Sequence, residues 1–280
     1  MPQSFFVVSG EHVKLAQDEI IAISKSYDKK ATYNLESRLV ITKSKAPWKR
    51  IAQRATFIRV SGNMVGTFSR LSEIDVSVVK PASFACRTIN LSSKKIDTKS
   101  VERETGKLLK EKWNSKVSLS NPSLTVYLIV TDSKRYFGYS DYIIEQKRPR
   151  KIIRYPHELD WKLSRCMVNL SGLKEGRTLC DPFCGTGTLL LEAEWMQIHG
   201  IGIDFDLEMC DITKRNLAEN GYKPRVINST FDYITKIKDK IDAIVTDLPY
   251  GTASKATTTP KKLIRDFVSV IPKKKKLIMM

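Results

Sequence analysis

The sequence predicts an α/β protein whose back half, residues 157–280, is a parallel doubly wound sheet, preceded by smaller mixed α and β units. Two observations carry this. Short apolar strands alternate with helices after Pro156, and a glycine-rich turn follows the first of those strands. A third, the 280-residue length, leaves room for more than one core.

The front half reads in order as "SFFVVSG", a strand, "EHVKLAQDEIIAISKSY", a run with helical spacing, and "ATYNLESRLVIT", again extended. Then "SFACRTINL" reads as a strand and "KSVERETGKLLKEKWN" as a helix with Val101, Leu108, Leu109 and Trp113 on its apolar stripe. "LTVYLIVT" and "RYFGYSDYII" read as strands. Two basic, proline-bearing stretches, "SKAPWKRIAQR" and "EQKRPRKIIRYPHELD", read as linkers or domain edges. In the back half the strands are "RTLCDPF", "HGIGIDF", "RVINST", "DAIVTDL" and "KKLIMM".

Charge narrows the function. The chain carries 48 Lys and Arg against 30 Asp and Glu, a net of +18, and residues 1–150 hold 27 of the bases and 14 of the acids. Such a surplus attracts a polyanion, nucleic acid first; compositional lysine bias is the plain alternative. The amino terminus lacks a secretion signal, and no apolar run approaches a membrane span, so a cytoplasmic protein is expected. Five scattered cysteines without a CxxC pair point to neither a disulfide framework nor a zinc site.

In parallel sheets of this kind ligands bind beyond the carboxyl ends of the strands. The first such end is "CDPFCGTGTLLL", where Gly185 and Gly187 allow a sharp turn and close approach to a ligand; Asp181, Phe183 and Thr186 belong to the same cradle. The second is "GIGIDFD". Asp204 lies about 20 residues past the glycine turn, the spacing at which an acid takes ribose hydroxyls, whereas Asp206 is placed to cap the next helix. A nucleoside cofactor is expected. An aspartate at the turn suits an ammonium better than a pyrophosphate, which favours S-adenosylmethionine over a nicotinamide dinucleotide. The third end offers Asn228, Ser229 and Asp232 to an adenine amino group, with Asp232 preferred.

The fourth end is "DLPYG". A carboxylate at Asp247 and the carbonyl of Leu248 can hold the two hydrogens of a planar aryl amine, Pro249 fixes the turn without an N–H, and Tyr250 can stack on the base. Methyl transfer from a sulfonium asks mainly for positioning, with no metal or covalent nucleophile.

Taken in order, "DPFCGTGT", "GIDFD" and "DLPYG" resemble the class I, Rossmann-like methyltransferase domain of THUMP-domain tRNA guanine-N2 methyltransferases, and "SFACRTINL", "VERETGKLL" and "KVSLSNPSLTVYLIV" resemble the THUMP module. The resemblance implies a ferredoxin-like domain over 1–48, a THUMP RNA-binding domain over 49–146, a linker over 147–156 and a methyltransferase domain over 157–280. The acid opening "DLPYG", where other members have Asn, resembles the archaeal branch acting on guanine 10 of tRNA, often to the dimethyl form. "HELDWKLSRCMVNLSG" resembles that family's helix beside the methionine end of the cofactor, with His157 a cap or surface residue. The family's domain continues beyond a fifth strand, so the sequence implies a shortened domain whose sheet edge is covered by a partner chain or by self-association. Two other readings stand beside this one: a non-catalytic tRNA-binding subunit, and an adenine or cytosine amino-methyltransferase on nucleic acid.

Overall fold

The computed structural model describes residues 1–77, 79–156, 158–249 and 259–280. They form two units, one of residues 1–53 and 57–145, the other of residues 54–56 and 146–280.

The first unit holds β1 (Gln3–Val8), α1 (Val13–Tyr27), β2 (Thr32–Glu36), β3 (Leu39–Lys43), most of α2 (Trp48–Arg54), β4 (Ile58–Thr67), β5 (Ser83–Asn90), α3 (Thr98–Trp113), β6 (Lys116–Val117), β7 (Leu124–Val130) and β8 (Arg135–Ser140). Its strands make one sheet in the order β2-β3-β1-β4-β8-β7-β5-β6. The strands expected as a separate domain before residue 48 thus share a sheet with those after it. β5 runs parallel to β7 and β6, with α3 as the crossover, while the other pairs are antiparallel.

"ATYNLESRLVIT" is a hairpin, broken at Ser37, whose φ of 51° makes the turn. "SKAPWKRIAQR" is not a linker, because its last seven residues are α2. Trp48, Ile51, Ala52 and Ala55 recur at helical spacing and are buried, so the stretch is helical despite its proline and charge, and a boundary between the two units falls within it, between Gln53 and Arg54. β4, ten residues long, has no counterpart among the expected strands. Gly62, on β4, and Gly138, on β8, make room for the Phe5 ring, since a Cβ on either would come within 2.8 Å of its Cε1.

The sheet also closes a circuit through side chains. Glu36, at the end of β2, accepts hydrogen bonds from Thr131 Oγ1 (2.7 Å), Ser133 Oγ (3.0 Å) and Tyr136 Oη (2.5 Å).

The second unit contains α4 (Trp161–Leu170), β9 (Thr178–Asp181), α5 (Thr188–Trp195), β10 (His199–Asp204), α6 (Leu207–Ala218), β11 (Val226–Asn228), α7 (Ile234–Ile237), β12 (Ala243–Thr246), α8 (Pro260–Val270) and β13 (Lys276–Met279). The five strands are all parallel in the order β11-β10-β9-β12-β13, so the winding reverses between β9 and β12. Apolar clusters cover the sheet, one around Leu179, Leu190 and Val245 and another around Cys180, Ile203 and Ile244. Neighbouring residues of one strand feed opposite faces, as strands buried on both sides require. Among the described residues no helix is long and apolar enough to cross a membrane.

Inside this unit Arg165, wholly buried on α4, donates from Nε to Glu192 Oε2 at 2.6 Å. Its guanidinium lies 3.9 Å from the centre of the Trp195 ring and 5.0 Å from that of Trp161, and Arg148 sits 5.6 Å from the Trp161 ring. Cations and indoles therefore alternate beside α4 and α5.

Candidate active site

The carboxyl ends of β9, β10 and β12 bring Asp181, Asp204 and Asp247 to one end of the sheet, at the reversal of winding where such sheets bind ligands. Their charges are coupled, and Asp181 feels both of the others.

Asp181 is 2% exposed and accepts from Thr246 Oγ1 at 2.7 Å and from the Phe183 amide at 3.2 Å. Burial pushes its carboxyl up to about 7; the two donors oppose this, and Asp204 and Asp247 add to it. A group in that position gains most from an incoming cation.

Beyond β9 the chain turns through Gly185 (φ 49°) and Gly187 (φ 84°) into α5. A Cβ at Gly187 would lie 2.8 Å from Thr213 Cγ2, so α6 packs directly on the turn and only glycine fits. Thr213 Oγ1 also donates to the Gly185 carbonyl at 2.6 Å. From β10, Asp204 accepts from the Gly185 amide through Oδ2 and from the Asp206 amide through Oδ1, each at 2.9 Å. Burial raises its carboxyl as well. Each oxygen retains a second lone pair, which leaves acceptor capacity for ribose hydroxyls. Asp206 caps α6 by accepting from the Glu208 amide at 3.0 Å.

Asp247 follows β12 and is half-buried, its carboxyl raised by burial. Leu248 is buried, and its amide donates to the Met280 carbonyl at 3.2 Å, which fixes the strand end against the segment after β13. Pro249 is partly buried beside it. Tyr250 and His157 lie outside the described residues.

Phe183 packs edge-on against Phe267 at 5.2 Å and tilted against Phe231 at 5.6 Å, a three-ring wall near the end of β9. Asp232 is exposed in a short turn after β11, where Thr230 Oγ1 donates to it at 3.2 Å. The Asn228 amide nitrogen donates to the Asp204 and Phe205 carbonyls, at 3.1 and 2.9 Å, so its role is to shape the loop after β10.

Three further residues went unnoticed in the sequence. Phe205, half exposed immediately after Asp204, offers a flat apolar ring where a base would lie, and its adjacency to the acid was the available signal. Lys151 and Glu158 meet at the turn as well. Lys151 Nζ donates to Glu158 Oε2 (2.5 Å), Thr186 Oγ1 (2.8 Å) and Thr188 Oγ1 (2.5 Å), and Thr186 Oγ1 in turn donates to Glu158 at 3.3 Å. Burial pulls the Lys151 ammonium below its usual value, against the pull of Glu158.

The RMKL-like methyltransferase domain family matches residues 148–277. The tRNA (guanine(10)-N2)-dimethyltransferase of Methanothermobacter thermautotrophicus is 32% identical over 277 residues, which span 94% of this chain and 82% of that protein. The enzyme of the same description from Methanocaldococcus jannaschii is 29% identical over 325 residues, or 98% of this chain and 92% of that one. Among solved structures, TrmN from Thermus thermophilus superposes with a TM-score of 0.55 at 15% identity, covering 96% of this chain and 86% of that one, which speaks to the fold.

Proposed function

We propose, from the premise that this chain belongs to the archaeal tRNA (guanine(10)-N2)-methyltransferase family, that its second unit presents a guanine amine to Asp247. The protein is an S-adenosylmethionine-dependent methyltransferase acting on the exocyclic N2 of guanine in tRNA. The observation that carries the site assignment is the convergence of Asp181, Asp204 and Asp247 on one sheet end around a glycine turn.

The residues fit the cofactor. Asp181, buried and raised by its surroundings, accepts the ammonium; Asp204 takes the ribose; Phe205 and Phe183 supply apolar surface near the nucleoside, with Asp232 at the adenine edge. When bound, S-adenosylmethionine supplies an electrophilic methyl group.

The acceptor side rests on "DLPY". The N2 lone pair of guanine is delocalised into the ring and becomes available when both amine hydrogens are held. Asp247 Oδ and the Leu248 carbonyl accept those hydrogens, and Pro249 fixes the turn without an N–H of its own. Burial makes the Asp247 carboxylate more basic, which strengthens its bond to the amine and suits it to receive the proton released after transfer.

The finer parts of the reading are position 10 of tRNA as the target, a ferredoxin-like (1–48) and THUMP (49–146) division of the front unit that grips tRNA through its basic surplus, and residence in the cytoplasm. β13 forms one edge of the five-stranded sheet and carries the half-exposed Met279, followed by the equally exposed Met280. Association with a partner chain or a second copy belongs to the same reading, and sedimentation at rising concentration tests for the second copy. Labelled S-adenosylmethionine, a single unmodified tRNA transcript and nucleoside analysis test the activity. N2-methylguanosine at position 10 is the expected product, and methylated adenosine or cytidine, or no product, overturns the reading.

A further inference from the structure

We infer that Lys151 is a positioning residue of the cofactor site, a clamp that holds the glycine turn in its binding shape through the hydroxyls of Thr186 and Thr188. The inference rests on the cofactor assignment above and adds to it a residue from outside the sheet, in the basic stretch that reads from sequence as a linker.

Three sets of contacts carry it. Lys151 has its side chain only 8% exposed, and its three hydrogens are matched by three acceptors, Glu158 Oε2, Thr186 Oγ1 and Thr188 Oγ1. Two of these flank Gly187, the residue at which the turn becomes α5. Glu158 then closes the ring by accepting from Thr186 Oγ1.

The segment that carries Lys151 is itself fixed on both sides. Asn220 exchanges two hydrogen bonds with the backbone of Arg150, accepting at 2.8 Å and donating at 2.6 Å. Asn216, one helical turn earlier, does the same with Ile153 at 2.9 and 3.0 Å and also donates to the Thr186 carbonyl at 3.0 Å. Two asparagine side chains thus serve the segment as a neighbouring strand's backbone would, and Lys151 projects from between the two anchored residues.

A loop with glycines at two of three positions loses much conformational entropy when it orders on a ligand. Ordering it beforehand lowers the cost of binding, and the gain is the same in the ground state and the transition state. The clamp therefore bears on the KM for the cofactor and leaves kcat nearly unchanged.

The test uses the full chain, S-adenosylhomocysteine as the probe, and hydrogen exchange of the amides of residues 185–190 without ligand. Lys151→Met is expected to speed that exchange, to weaken S-adenosylhomocysteine by at least about tenfold and to raise the cofactor KM in proportion, with kcat within about threefold. Lys151→Met/Glu158→Gln removes the unpaired carboxylate and is expected to stay weak. Exchange that does not change, affinity that does not change, or recovery of wild-type affinity in the double variant each overturns the clamp. A wild-type protein that fails to bind S-adenosylhomocysteine overturns the cofactor reading itself, and with it this inference, and that failure is recognisable because it precedes any substitution.

Discussion

Asp204 holds the amide of Gly185 at 2.9 Å, so the acid at the end of one strand sets the turn at the end of the next. In the proposed reading, removing it subtracts a ligand contact and releases the turn together. Asp204→Ala is expected to weaken S-adenosylhomocysteine by about 100-fold, from two charge-assisted hydrogen bonds of roughly 1.5 kcal/mol each. Asp204→Asn, which keeps one acceptor oxygen, is expected to lose about tenfold. Calorimetry separates the two, and equal losses would show that the turn does not depend on this contact.

Burial holds the Asp181 carboxyl up to about 7, so with Asp181 as the proposed partner of the cofactor's ammonium, binding is expected to depend on pH. In that proposal the ionised form receives the ammonium, so affinity is expected to rise about tenfold per unit between pH 5 and pH 7 and then level off. The fold without ligand behaves the opposite way. A carboxyl raised above its unfolded value keeps its proton in the folded state between about pH 4 and 7, so its contribution to stability is lost as pH rises through that window. Asp181→Asn is expected to flatten both profiles, as read by titration calorimetry and by denaturant unfolding across pH.

In the proposed reading Asp247 serves the acceptor, while Asp181 and Asp204 serve the cofactor. Asp247→Ala is expected to cut kcat by about 100-fold or more while S-adenosylhomocysteine affinity changes less than about threefold. Single-turnover methylation of an unmodified transcript gives the first number and calorimetry the second. Full activity would remove Asp247 from the mechanism.

The Arg165–Glu192 pair is a test of fold stability, since both side chains are at most 3% exposed. Arg165→Met leaves a buried carboxylate alone and is expected to cost about 3–5 kcal/mol in denaturant unfolding. Arg165→Met/Glu192→Gln is expected to recover at least about half of that loss, because no lone charge remains. An equal loss in both variants would assign the stability to the guanidinium packed between Trp161 and Trp195.

Residues whose neighbours are dictated by a regular pattern were legible in the sequence. "DPFCGTGT" and "GIDFD" end adjacent parallel strands, so their meeting follows from the alternation of strands and helices. Asp206 announced itself as a cap by its place before α6. β4 was not legible because Gly62, Asn63 and Gly66 interrupt its alternation, and Gly62 makes room for Phe5 and for the Tyr139 backbone of β8 rather than marking a turn. The proline and charges before α2 hid a helical period in the same way. Lys151 was hidden for another reason. Its partners lie 7, 35 and 37 residues away, and hydrogen bonds at such separations leave no periodic trace in a basic stretch.

The three bonds of Glu36 reach residues 95, 97 and 100 positions further along the chain. During synthesis, which runs from the amino terminus at about 5–20 residues per second, the first hairpin waits about 5–20 s before Thr131, Ser133 and Tyr136 exist to complete it. Over that interval the carboxylate of Glu36 has none of these three donors, and β4, once made and paired with β1, waits with its other edge open for β8. The front of this protein is thus made early and finished late, and the step that finishes it is the arrival of β8.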